Sequence, residues 1–517
     1  MNYERANLRP EEKATLELRG LYEENGYKKY KMSKFEEYGL YANNRDFLAG
    51  DKVLTFTDLD GRLMALKPDV TLSIIKNTAI GDSDLEKFYY VENVYRESRE
   101  SNSFKEIEQI GLEMIGKIGD DEIAETVNMA AETLKTVNKD FVLELSHMDF
   151  TEELLRTIDL NDEVYKHIIR LIRAKNPDGI RKVSAAEGLP QAAIESLCAI
   201  TELSGPVAPT LEKARKLAIN KTMLSALDEI ESIYSRMENS NAKNLMVDFS
   251  MVNDIDYYNG VIFKGYFRDV AGGVLAGGQY DRAMTLFGRR AGAIGFALYL
   301  NEVAKLGEKT AAEKDDMLTI ALPKGRLGDQ VYDILSNGGY ECEAYNDKNR
   351  KLVIENVEKN VRYILVKPSD VAVYVEHRAA DVGIVGKDIL LENDPDVYEL
   401  KDLDIGKCRM SVAAPKGYID DPDKTLRVAT KYVNVAKKHY QEQNRDIEII
   451  KLNGSIELGP ILGLSDVIVD IVETGSTIRE NDLEVVEEFK QISARFIANK
   501  TSYKFKNAAI NEMVEKL

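Results

Sequence analysis

Cysteine is scarce in this sequence: Cys198, Cys342 and Cys408 are the only three in 517 residues. They are far apart and odd in number, which excludes a disulfide framework or a cysteine-rich zinc site as the organising device. Histidine is nearly as sparse. His147, His167, His377 and His439 are scattered and no HExxH pair occurs, so a histidine-built metal centre is not expected. No uninterrupted apolar run approaches the roughly 18 residues of a membrane-spanning helix. The opening stretch, MNYERANLRPEEK, lacks the apolar core of a signal peptide, and a cytoplasmic protein is the expectation. Positive charge is outweighed: 69 Lys and Arg against 88 Asp and Glu give a net charge of −19. Such a chain repels polyanions on average, which argues against nucleic acid as a partner. There is no internal repeat and no low-complexity tract. There is also no Walker A loop; GIVGKD at 383–388 has two residues between its glycines instead of four, and Asp388 where Ser or Thr is needed.

The length exceeds one ordinary core and implies several domains. The polar, small-residue stretch GEKTAAEKDD at 307–316 has linker composition, so the predicted units are 1–306 and 317–517. After the linker, strand-like runs alternate with helix-like segments: MLTIAL (317–322), RYILV (362–366), DVGIVG (381–386), RMSVAAP (409–415), IEIIKL (447–452) and DVIVDIV (466–472). Near-continuous apolar strands of this kind suit an α/β fold whose sheet is covered on both faces. Ser369 is a plausible cap for the helix that follows it.

The first unit reads differently. Residues 150–240 are mostly helical in pattern, with Leu224, Leu227, Ile230, Tyr234 and Met237 on one predicted face and a loop at GPVAP (205–209). Strands are predicted around it, at 87–96, 107–116, 245–251 and 261–267, and Asn259-Gly260 is a hairpin signal. The expectation is an α+β domain, an antiparallel sheet with a helical insertion.

One motif carries chemistry by itself. In IVDIVETGSTIREN (468–481 within its strand and helix) a buried strand runs into Glu473, Thr474, Gly475, Ser476 and Thr477. A glycine turn feeding a helix presents backbone N–H groups and positive potential, and the hydroxyls add donors: a cradle for a phosphate monoester. Asp470 and Glu473 cannot hold the phosphate, but they can accept hydrogen bonds from sugar hydroxyls beside it. A phosphorylated ribose explains both halves. The five residues also fit an ordinary strand–turn–helix connection. ALPKGRL (321–327) sets Lys324 and Arg326 around Gly325 on a tight turn, which suits pyrophosphate or a triphosphate, or equally a solvated basic loop.

Together with NRKLV, KPSDVAVYVEHRAADVGIVGKD, RVATKYVNVAKKHY and NGSIELGPILGLSDVIVDIVETGSTIREN, these segments resemble short-form ATP phosphoribosyltransferases over roughly 317–517. The resemblance implies two α/β lobes, like a periplasmic binding protein, with the site between them. It implies transfer of a phosphoribosyl group from phosphoribosyl pyrophosphate to adenine N1 of ATP, the step that opens histidine biosynthesis, with Mg²⁺ held mainly by substrate oxygens. It assigns Thr474, Gly475, Ser476 and Thr477 to the 5-phosphate, Asp470 and Glu473 to the ribose, and Lys324, Gly325 and Arg326 to the pyrophosphate and triphosphate. Arg350, Gly386, Asp388, Lys431 and Glu457 are further substrate contacts by the same resemblance.

The first unit, through ALKPDVTLSIIKN (65–77), FYYVENVYRESRESNSFKEIEQIGLEMIG (88–116), DIDYYNGVIF (254–263) and AGGQYDRAMTLFGRRAGAIGFAL (276–298), resembles the class II catalytic core of histidyl-tRNA synthetase. Its adenylation groups are replaced. Asn253 stands where an arginine belongs, Ser98 where a glutamate belongs, and Tyr299-Leu300-Asn301-Glu302 replaces Gly-Leu-Glu-Arg, which reverses charge where ATP phosphate would sit. The amino-acid pocket is better kept: Asp69, Thr71, Arg96, Gln109, Glu113, Tyr257 and Tyr258 match it. The pattern resembles the regulatory subunit that partners short-form ATP phosphoribosyltransferases, joined here to its enzyme at high effective concentration. It implies feedback by histidine, in this pocket or at a domain interface, and a homo-oligomer with two-fold symmetry. The competing readings are a tRNA-binding synthetase relative and a histidine sensor without transferase activity.

Overall fold

A computed structural model describes residues 8–43, 52–78, 85–98, 103–158, 160–252, 258–307, 316–345 and 351–517. The chain divides into two compact units, Met1–Lys309 and Thr310–Leu517.

The first unit is built on a nine-stranded sheet. Its centre is a run of long antiparallel strands, Glu86–Ser98, Ser103–Gly116, Gly292–Tyr299, Gly273–Gln279, Val261–Phe267 and Phe141–His147. Helix Asp120–Val137 lies on one face, its Val127, Ala130, Ala131 and Leu134 fully buried in the core. The helices between Met148 and Ala242 form the insertion, and class II-like α+β architecture follows from this order.

Three local expectations are corrected. Asn259-Gly260 does not turn a hairpin. The strand after it, Val261–Phe267, pairs forward with Gly273–Gln279, so the turn lies at 268–272. Gly260 is needed for another reason: its φ is +67°, and a Cβ there would stand 2.4 Å from Gln279 Oε1. The GPVAP stretch is not a loop. Ser204–Pro206 is an edge strand, where proline is tolerated, and Val207 begins a helix running to Leu217. In helix Lys221–Arg236 the buried face is Met223, Ala226, Leu227, Ile230 and Ile233, while Leu224 and Tyr234 are exposed, a shift of one position around the helix.

The second unit has two lobes. The six-stranded sheet runs Val353–Asn356, Val361–Val366, Leu318–Pro323, Val382–Gly386, Ala494–Asn499, Val397–Asp402. The five-stranded sheet runs Ile447–Lys451, Leu426–Thr430, Val467–Val472, Cys408–Pro415, Leu483–Ile492. Both are mixed: the first two βα steps of each lobe are parallel, and the returning strands add antiparallel pairs. The chain crosses between lobes at 403–407 and at Ser493, and the crossings are tied by Leu403 N–H to Ala494 O (3.0 Å) and Ala494 N–H to Ile405 O (2.9 Å). Ser369 caps nothing; it donates to Asp370 Oδ1 inside a short 3₁₀ turn. No helix among the described residues is long and apolar enough to cross a membrane.

Candidate functional site

Two sites take shape, one in each unit. In the second unit, strand Val467–Val472 ends at Glu473 and helix Ser476–Glu480 begins three residues later. Gly475 sits between them at φ +72°, the left-handed region that glycine adopts without cost. Thr474 Oγ1 is 3.0 Å from Ser476 Oγ and takes the Ser476 N–H at 3.4 Å, so the hydroxyls gather around the helix start. Glu473, Thr474, Ser476 and Thr477 are exposed.

The other lobe supplies a matching turn. Strand Leu318–Pro323 ends in Lys324, whose N–H is held by Val366 O (2.8 Å), and Gly325 at φ +93° starts helix Arg326–Leu335. Gly328 is packed so tightly on Pro323 that a Cβ would fall 1.7 Å from its carbonyl oxygen. This draws the helix start back onto the strand and leaves Lys324, Gly325 and Arg326 exposed above it. Arg326 Nη2 reaches across to Glu473 Oε2 at 2.5 Å. The two motifs, 147 residues apart in sequence, therefore meet face to face.

Between them lie the other assigned groups. Lys431 Nζ is 3.7 Å from Asp470 Oδ1. Burial pushes the Asp470 carboxyl above its ordinary range, Lys431 and the Ile471 N–H pull it down, and Glu457 adds a further upward push. Gly386 has no room for a Cβ, which would stand 2.2 Å from Asp388 Oδ1. Asp388 is buried and accepts from Tyr432 Oη at 2.6 Å. Burial, then the carboxylates of Asp388 and Glu473, push the Cys408 thiol up to about 11, which marks how closely these groups converge. Arg350 lies outside the described residues. Two participants carried no local signal: Arg409, a lone cation in a strand, which donates to Glu473 O at 3.4 Å, and Tyr432.

In the first unit a cavity of about 210 Å³ is lined by Asp69, Thr71, Arg96, Gln109, Glu113 and Tyr258. These are all the residues predicted for the amino-acid pocket except Tyr257, which lies outside the described residues, as does Asn253. Glu113 is the deepest. It accepts from Thr71 Oγ1 (3.0 Å) and Tyr280 Oη (2.5 Å), and a side chain at Gly295 would occupy its place, with a Cβ 1.8 Å from Glu113 Oε2. Burial pushes the Glu113 carboxyl up to about 8, against the two hydroxyl donors. Asp69 is raised for the same reason, and Arg96 at 3.4 Å pulls it back. Tyr280, which completes this network, was missed because its partner is distant in sequence. The charge-reversed Glu302 pairs with Lys305 at 2.7 Å, and Tyr299 lines the cavity in place of a glycine.

Comparison with known proteins agrees with this division. A family described as histidyl-tRNA synthetase matches residues 3–303, and one described as ATP phosphoribosyltransferase matches residues 367–517. The ATP phosphoribosyltransferase of Brachyspira hyodysenteriae is 61% identical over 202 residues, 39% of this chain and 98% of that protein. The ATP phosphoribosyltransferase of Clostridioides difficile is 52% identical over 200 residues, 38% of this chain and 96% of that protein. A solved structure titled ATP phosphoribosyltransferase regulatory subunit/histidyl-tRNA synthetase, from Bacillus halodurans C, is 20% identical with a TM-score of 0.51, covering 69% of this chain and 94% of that one, and so shares the fold. Synthetase-like cavity, two-lobed cleft and matched segments lead to one statement: the chain belongs to both families, a histidyl-tRNA synthetase-like region fused in one polypeptide to an ATP phosphoribosyltransferase.

Proposed function

We propose that this chain transfers the phosphoribosyl group of phosphoribosyl pyrophosphate to ATP, and that histidine held by the synthetase-like unit restrains the reaction. The observation that supports the reading best is the Arg326–Glu473 contact, which sets a turn built for pyrophosphate opposite a turn built for a sugar phosphate. In this reading the 5-phosphate rests on the amides and hydroxyls of Thr474–Thr477. Asp470 and Glu473 take the ribose hydroxyls, and Glu473 releases Arg326 to the leaving group as substrate enters. Adenine N1 forms a bond to C1 of the ribose while the bond from C1 to the pyrophosphate oxygen breaks. Positive charge grows on the sugar and negative charge on the departing pyrophosphate. Lys324, Arg326 and Arg409 surround the second, and Asp470 and Glu473 the first. No protein nucleophile takes part; the chain contributes alignment and electrostatic stabilisation.

The carboxylates beside the turn already face cations, Asp470 with Lys431 and Glu473 with Arg326. That fits a Mg²⁺ carried mainly by pyrophosphate oxygens, where it neutralises the leaving group. The first unit's cavity suits a small zwitterion with a cationic ring: the carboxyls of Asp69 and Glu113 and the hydroxyls of Thr71 and Tyr258 face one space beside Arg96. The loss of the ATP-contacting cations supports a binding rather than an adenylating role. A cytoplasmic homo-oligomer with two-fold symmetry completes the proposal. The test is direct. ATP, phosphoribosyl pyrophosphate and Mg²⁺ mixed with the full chain yield pyrophosphate and phosphoribosyl-ATP, and added histidine slows the yield. Absence of turnover with or without histidine, or charging of tRNA instead, rejects the reading.

A further inference from the structure

Helix Val433–Glu442, in the five-stranded lobe, lacks a cap of its own: Tyr432 holds the cap position and its side chain makes no capping bond. An uncapped helix leaves donors without partners. Here they are satisfied from the other lobe. Glu392, on helix Lys387–Asn393, accepts the N–H groups of Asn434 (2.9 Å) and Val435 (3.1 Å), and its backbone oxygen takes Asn434 Nδ2 (2.9 Å). Ile389 of the same helix packs against the hydrophobic cores of both lobes.

Beside this cap sits a second link. Tyr432 Oη donates to Asp388 Oδ2 at 2.6 Å, and the two residues are only 2% and 8% exposed. Tyr432 is anchored on its own lobe, because its N–H is held by Thr430 Oγ1 (2.8 Å), which donates to Val469 O (2.6 Å) one residue before Asp470. Asp388 belongs to helix Lys387–Asn393 of the other lobe, and its Oδ1 lies where a Cβ at Gly386 would stand 2.2 Å away. A tyrosine bonded to a carboxylate in a dry setting is costly to separate, since parting leaves a charged group without its donor. Burial and Asp388 both push the Tyr432 hydroxyl well above its ordinary range, so it stays a donor at all working pH values.

We propose that Tyr432 is a positioning residue for phosphoribosyl transfer: its bond to Asp388, with the Glu392 cap beside it, is a clasp that fixes the spacing of the two lobes and so the alignment of the substrate halves bound on each. The inference rests on the transfer reaction for its kinetic part only. Tyr432 touches neither reacting atom. It acts through Lys431 and Asp470 on one side and the Gly386–Asp388 turn on the other.

The test pairs kinetics with distance. Spin labels at Val357→Cys and Ile419→Cys, which are 78% and 87% exposed on different lobes, report interlobe spacing in the full chain, with Cys408→Ser in every variant. Tyr432→Phe is expected to broaden or shift that distance distribution. It should lower kcat about tenfold, the rate equivalent of one lost hydrogen bond to a charged group, while each KM moves less than about threefold. Asp388→Asn keeps an acceptor for the tyrosine and should retain the parent distribution. Glu392→Ala should broaden it, as Tyr432→Phe does. A parent-like distribution in Tyr432→Phe overturns the clasp whatever the activity. A parent without turnover counts against the transferase reading, and the distances still decide this one.

Discussion

The transferase cleft and the synthetase-like cavity use the same residue types in opposite ways. In the cleft, Arg326 and Glu473 meet in solvent, with side chains 73% and 50% exposed, so the pair is weak and readily exchanged for substrate. In the cavity, Glu113 and Asp69 are almost fully buried, and burial lifts both carboxyls. A cleft that must take and release charged substrates each cycle benefits from screened, mobile cations. A cavity that must recognise one small ligand benefits from fixed donors and acceptors that water does not reach. On the proposed reading, the difference separates a site for turnover from a site for sensing.

Three substitutions and one pH profile sharpen or break that contrast. The largest effect belongs to Gly475→Asp. Aspartate tolerates φ +72°, and the nearest atom to its Cβ is the flexible Arg479 guanidinium at 3.1 Å, so the fold survives. A carboxylate in the anion cradle should remove phosphoribosyl pyrophosphate binding by about two orders of magnitude or more, with an unchanged circular dichroism spectrum. Next is Arg326→Ala. Loss of one cation from the developing pyrophosphate should cost about 10- to 100-fold in kcat, read by steady-state kinetics. Glu113→Gln comes third. It keeps the shape and one acceptor oxygen, but its amide nitrogen cannot accept from the second hydroxyl and it cannot become an anion, so histidine should inhibit about tenfold less tightly by dose–response.

The fourth effect, read on a different scale, is a pH dependence of stability. Glu113 holds its proton to about 8 in the folded chain, whereas an unfolded glutamate releases it near 4.3. Between those values the unfolded state binds fewer protons, so the native state loses stability as pH rises, and the loss levels off above about 8. Glu113→Gln lacks this dependence. Its unfolding temperature should gain on the parent's from pH 5 to pH 8 and then hold a constant difference.

Much of this was legible in the sequence because the informative residues are neighbours there. The Glu473–Thr477 turn and the Lys324–Arg326 loop each stand at the end of a buried apolar strand, and both strands were read within a residue or two of Leu318–Pro323 and Val467–Val472. What escaped is non-local. Tyr280 meets Glu113 across 167 residues, and Tyr432 meets Asp388 across 44. Nothing in QYDRAM or ATKYVN announces either partner. Asn259-Gly260 misled because the dipeptide signals a positive φ, which Gly260 has, and not the hairpin that often goes with it. The cap on helix Val433–Glu442 was invisible because it comes from Glu392 and not from the residues before the helix.

The central claim is that a sugar-borne phosphate is held by main-chain amides where the Val467–Val472 strand meets its helix. A crystal structure of the full chain with phosphoribosyl pyrophosphate tests it most directly. The account predicts the 5-phosphate within hydrogen-bond reach of the Gly475, Ser476 and Thr477 N–H groups, with the pyrophosphate toward Lys324 and Arg326. A phosphate bound elsewhere, with this turn bare at saturating ligand, contradicts it.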